Sequence, residues 1–143
     1  MEYKEFVKRV QEMAQLDSAE DAARAVKATL GTLGELLSPM ERRHLAAQLH
    51  KPMKEYVDTW VERPSRELTH PHRFNLEEFF NRIAARAEVR YPAAVHRSQA
   101  VIQVLREAVA PGELADVFRE LPNDYEELLS GKPAGPLSPS IVK

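Results

Sequence analysis

Apolar residues recur every three or four positions through most of this chain, and the pattern is stated twice. Tyr3, Phe6, Val7, Val10 and Ala14 share one face of a helix, and Leu76, Phe79, Phe80, Ile83 and Ala87 repeat that stripe in the second half. A longer helix follows, with Val26, Leu30, Leu33 and Leu37 on one side. Its counterpart carries Val101, Ile102, Val104, Leu105, Ala108 and Val109, a much wider apolar surface. A helix apolar around most of its circumference belongs inside a domain, so the helix over 94–109 is expected at the centre. Short helices come next, one beginning at Ser38-Pro39-Met40-Glu41, then one with Met53, Tyr56 and Val57, answered by Tyr125, Leu128 and Leu129.

The two halves also align residue by residue. Residues 5–57 match 78–129: Phe6 with Phe79, Arg9 with Arg82 and Val10 with Ile83. After a one-residue slip, Leu33 matches Leu105, Glu35 Glu107, Pro39 Pro111, Glu41 Glu113 and Leu49 Leu121. Self-similarity at this spacing predicts two copies of one supersecondary unit. The expected fold class is all-α: two tandem similar helical repeats packed into a single helical-bundle domain with pseudo-two-fold symmetry. Repeat 1 covers about 2–58, a connector 59–73, repeat 2 about 74–130 and a Pro-rich C-terminal tail 131–143. Each unit alone leaves apolar stripes bare, so the halves should depend on each other.

Local signals mark the helix starts. Asp17 precedes Glu20, Ser38 precedes Glu41 and Asn75 precedes Glu78, each by three residues, as in a capping box. Ser38 is expected to cap its helix, Glu41 to bond back to the Ser38 N–H, and Pro39 to take the first helical position at no hydrogen-bond cost. The second copy has Ala110 in place of the serine, a start weaker by about 1 kcal/mol. Gly31 and Gly34 lie inside the long helix, where each costs about 1 kcal/mol against alanine. Close approach of another helix is the expected reason.

Composition narrows the function classes. The 143 residues suffice for one domain with a real core. A net charge of −2 lacks the basic excess of a nucleic-acid binder. No cysteine is present, which removes thiol catalysis and thiolate metal sites. No apolar run reaches the length of a membrane span, and the amphipathic start MEYKEFVKRV does not read as a signal peptide. A cytoplasmic protein, with no nucleic acid and no membrane among its partners, is the simplest expectation. No phosphate loop, dinucleotide fingerprint or nucleophile elbow occurs, so neither a catalytic residue nor a cofactor is expected.

The candidates that remain are few. Glu41 and His44 stand in a Glu-x-x-His spacing that places carboxylate and imidazole on one helix face, as in carboxylate-bridged metal bundles. Glu113 and Asp116 hold the matching positions, and a two-fold could bring both pairs together. Against a metal site, the second half lacks the histidine, and first-turn residues are expected to be exposed. Trp60 in the connector is expected to anchor it against the core, with a partner-facing hot spot as the alternative. Arg42 and Arg43, with Lys51 and Lys54, offer a basic patch to an acidic partner or a merely solvated face. Ile141 and Val142 could make the tail a docking peptide.

The pattern EFVKRV…LSPMERRHLAAQL, echoed by EFFNRI…APGELADVFREL, resembles the bacterial family known as domain of unknown function 2267 over roughly residues 3–130. At His50 the chain departs from the proline usual in that turn. The resemblance implies a small all-helical bacterial protein, sometimes associated with stress-related modules, and carries no catalytic residues with it. The expected function is a non-enzymatic protein-interaction or adaptor module, with a protein partner or a homodimer. Two alternatives stand beside it: a small-molecule or metal-binding protein using the inter-repeat groove, and a cargo protein docking through its tail.

Overall fold

A computed structural model describes residues 1–61 and 73–130, and among these it contains eight helices and no strand. They are α1 (Tyr3–Ala14), α2 (Ala19–Glu35), α3 (Pro39–Ala47), α4 (Met53–Tyr56), α5 (Leu76–Ala87), α6 (Tyr91–Ala108), α7 (Pro111–Arg119) and α8 (Glu126–Ser130). Among the described residues all regular structure is therefore helical, as the periodicity predicts. His70 and His72, which the sequence places as a weak pair of possible ligands in the connector, and the tail residues Ile141 and Val142 lie outside the described residues.

The caps follow local chemistry, with two corrections. Asn75 accepts from the Glu78 N–H at 2.9 Å and starts α5. The start of α2 lies one residue later than the Asp17–Glu20 spacing suggests, because Ser18 accepts from the Asp21 N–H at 3.0 Å. Helix α6 begins at Tyr91, three residues before the expected start, since Pro92 in its first turn has no N–H to satisfy.

Two helices share the centre, where the sequence pointed to one. Helix α6 packs against α1, α2, α5 and α8, as expected from its broad apolar face. Helix α2 is equally enclosed, by α1, α4, α5 and α6, and every residue from Ala28 to Leu37 is buried. Hydrophobicity hides this because much of that surface is Ala28, Thr29, Gly31, Thr32 and Gly34. The glycines permit the approach expected of them. A Cβ on Gly34 would overlap the Val57 backbone carbonyl, and one on Gly31 would overlap the Trp60 ring. Trp60 is half-buried there, with the Arg86 guanidinium 4.2 Å above its ring.

Charged residues aligned between the halves pair crosswise. Arg9 of α1 holds Glu107 of α6 at 2.7 Å, and Arg82 of α5 reaches Glu35 of α2 at 3.2 Å. Glu35 is the enclosed member, 7 % exposed, and Arg86 also holds it at 2.7 Å.

Candidate functional site

Two places depart from what folding alone requires. The first is the junction where α3 packs against α7. Each helix opens with Pro at its start and a glutamate two residues on, Pro39 with Glu41 and Pro111 with Glu113. Ser38 accepts from the Glu41 N–H at 3.2 Å, so half of the expected capping box is present. The other half is not. The Ser38 N–H donates to Glu120 Oε1 at 2.8 Å, and the Ser38 hydroxyl donates to Glu120 Oε2 at 3.0 Å. Glu120 is the C-cap of α7. In the matched place Gln48, the C-cap of α3, accepts from the Ala110 N–H at 2.9 Å. Each short helix thus lends its C-cap residue to the N-cap of the other, and the Glu41 side chain is released from capping.

The released carboxylate turns inward. Glu41 is 8 % exposed, contrary to the exposure expected of a first turn, because α7 covers it. Its Oε2 is buried without a hydrogen-bond partner, and so is the Oε2 of Glu113. One ligand atom each from Glu41, His44 and Glu113 lies within 4.8 Å of the others, with His44 on the solvent side. Asp116, the fourth candidate, stands apart and pairs with Arg119.

Burial, followed by the proximity of Glu113 and Glu120, raises the Glu41 carboxyl from an ordinary 4.5 to about 7. Two ionised carboxylates cannot hydrogen-bond each other; with one proton they can. The junction can therefore hold a proton near neutrality, or a cation in its place. Because the folded value exceeds the unfolded one, the contribution of Glu41 to stability is fully present below about 4.5 and is lost as pH rises through about 7. Glu107, whose carboxyl the Arg9 guanidinium holds below the ordinary 4.5, acts oppositely: its contribution is present above that value and fades at lower pH. In metal-free buffer, the denaturation midpoint of the protein should fall between pH 5 and pH 8 relative to that of Glu41→Gln. Parallel midpoints for the two proteins across that range would contradict the buried-acid assignment.

The second place is a groove of about 570 Å³ between α1 and α2, lined by Tyr3, Val7, Ala19 and Ala23 with Lys4, Lys8 and Glu20 at its rim. Tyr3 is steadied by an edge contact with the Tyr56 ring at 6.1 Å. Extending the repeat alignment pairs Val7 with Phe80, Ala19 with Tyr91 and Ala23 with Val95. In the second half Phe80 and Tyr91 meet edge to face at 5.8 Å. Where α5 and α6 bring together the buried Phe80 and the 37 % exposed Tyr91, α1 and α2 have only Val7 and Ala19. Sequence reasoning missed this groove, although the small-for-large differences between the copies were its signal.

The remaining candidates Arg42 and Arg43, and also His96, have local roles. Arg42 pairs with Asp58 at 3.1 Å and donates to the Leu37 carbonyl at 3.0 Å, so it ties the end of α2 rather than a free patch. Arg43 is exposed. His96 meets the Ala14 carbonyl at 3.1 Å and closes the end of α1. No described helix is long and apolar enough to cross a membrane.

The family described as uncharacterized conserved protein, domain of unknown function 2267, matches residues 3–128, and the chain belongs to it. No curated protein matches the chain.

Proposed function

We propose that this domain is a non-enzymatic protein-interaction module that takes a large apolar side chain of a partner into the α1–α2 groove. One observation carries the reading: Val7, Ala19 and Ala23 leave room where the matched Phe80, Tyr91 and Val95 fill it. A gap that the fold itself plugs with aromatic rings suits an aromatic or leucine anchor on an amphipathic helix. Lys4 and Lys8 at the rim favour acidic residues beside that anchor. The two halves, on this reading, are related by an approximate two-fold axis. The crossed pairs Arg9–Glu107 and Arg82–Glu35 and the exchanged caps Glu120 and Gln48 support it. The repeat then maintains the fold, and the differences between its copies maintain the binding. The setting we assign is the bacterial cytoplasm, in a stress-linked role that the resemblance suggests.

A photo-crosslinker at Lys8 tests the reading, with one at exposed Ala47 on α3 as control. Crosslinks should form from position 8, map to partner segments carrying an apolar anchor with acidic neighbours, and vanish in Ala19→Tyr. That variant places at the start of α2 the residue that already starts α6, so its helical signal and melting should be unchanged. Crosslinks equal at both positions, or untouched by Ala19→Tyr, would remove the groove from the account. Crosslinks joining two copies of the chain would replace a foreign partner with a homodimer.

A further inference from the structure

We propose that Glu41, Glu113 and His44 together bind one divalent transition-metal ion across the α3–α7 junction, with zinc the best match. The site is independent of the groove. Its main support is Glu41, more than nine-tenths buried, whose Oε2 has no hydrogen-bond donor and whose carboxylate lies within 4.8 Å of ligand atoms of the other two. Buried carboxylate oxygens are ordinarily satisfied, and an orphan one signals a missing partner. The Glu113 Oε2 is buried and orphaned in the same place, so the want of a positive partner is shared by both carboxylates. A cation supplies it, and offsets both the burial and the neighbouring carboxylates that raise the Glu41 carboxyl.

The donor set selects the ion. Two carboxylates and an imidazole suit zinc and its first-row neighbours, whereas magnesium and calcium want more oxygens. Bond lengths to zinc of about 2.0–2.2 Å put neighbouring ligand atoms about 3.3 Å apart. The three ligand atoms already lie within 4.8 Å of one another, so side-chain rotation closes the shell without moving the helices. Three protein ligands leave a position for water, and exposed His44 marks the side from which an ion arrives. Binding displaces the proton of the carboxyl pair and should weaken as pH falls.

The contrast with the second half is informative. Position 44 is His44, but its match is Asp116, which turns to Arg119. A single imidazole therefore serves both carboxylates, and one ion per chain follows.

Calorimetric titration of the full, chelator-stripped chain with zinc chloride at pH 7.5 tests this. One ion should bind per chain, with a dissociation constant on the order of 10 µM or tighter, and raise the melting temperature. Glu41→Gln and His44→Ala should each weaken binding at least about tenfold, while Asp116→Asn leaves it unchanged. His44 is exposed, so its loss should not disturb the fold, and magnesium should not compete. Absence of zinc binding at 100 µM overturns the proposal. So does binding that survives both substitutions, which would place the ion elsewhere. If Glu41→Gln abolishes the pH dependence of stability while no ion binds to the wild type, the pair holds a proton instead and the metal site is wrong.

Discussion

Alanine at Gly34 is expected to destabilise the protein by about 2 kcal/mol or more, although alanine is the better helix former. Propensity alone favours the change by up to about 1 kcal/mol. Against that, the new Cβ would overlap the carbonyl of Val57, and backbone cannot swing aside as a side chain can. Overpacking of this kind commonly costs about 1–3 kcal/mol and occasionally more. The consequence reaches the groove, because α4 carries Tyr56 and Tyr56 steadies Tyr3. Gly31→Ala meets chiefly the Trp60 ring, which can turn, with the Tyr56 carbonyl next at 3.2 Å, so a smaller loss with altered tryptophan fluorescence is expected. Gly112→Ala has open space around it and should be neutral or mildly stabilising. Chemical denaturation of the three variants gives the ranking. A Gly34→Ala protein as stable as wild type would mean that α4 does not seat on α2.

Removing Glu35 is expected to have the other large effect, about 2–4 kcal/mol for Glu35→Ala. The carboxylate is 7 % exposed and takes Arg82 and Arg86 together, while Arg86 also donates to Thr32 Oγ1 at 2.8 Å. Breaking a buried pair costs about 3–5 kcal/mol because the remaining charge is stranded. Both arginines keep some contact with water, and that brings the expectation down. Glu107→Ala removes the aligned carboxylate of the other half, where both partners are solvated, and should change stability little. Glu35→Gln separates the charge from the packing: it should recover part of the loss and no more. Equal losses for Glu35→Ala and Glu107→Ala would show that position in the repeat, and not burial, sets the energy.

The stripes of α1 and α5 were fully legible in the sequence because an amphipathic helix shows its buried face in its own spacing. The central place of α2 was not, since alanines, threonines and glycines enclose it and no hydrophobic count registers them. Ser38 was readable as a cap, but spacing reveals only local partners, and the acid that completes the cap is Glu120, 82 residues away. The burial of Glu41 was invisible for the same reason: it depends on where α7 lands. The crossed ion pairs had a signal, opposite charges aligned in both copies at Arg9/Arg82 and Glu35/Glu107, which topology alone turns into contacts. Asp116 matched His44 in the alignment and still left the cluster, because Arg119 lies one turn along its own helix.

The groove and the carboxyl pair are the two sites proposed to carry function. The carboxyl pair is assembled from both halves, and the groove exists only where the halves differ. At this seam Val7, Ala19 and Ala23 are smaller than the matched Phe80, Tyr91 and Val95, while Tyr3 is larger than its match Leu76.

Titration of the full chain with p-cresol, a stand-in for a tyrosine side chain, followed by methyl resonances, shows whether the α1–α2 groove accepts an aromatic ring. The groove predicts saturable shifts at Val7, Ala19 and Ala23, with a dissociation constant on the order of millimolar, no response at Val95, and loss of the response in Ala19→Tyr. Shifts spread evenly over both halves, or a response that persists in Ala19→Tyr, would contradict it.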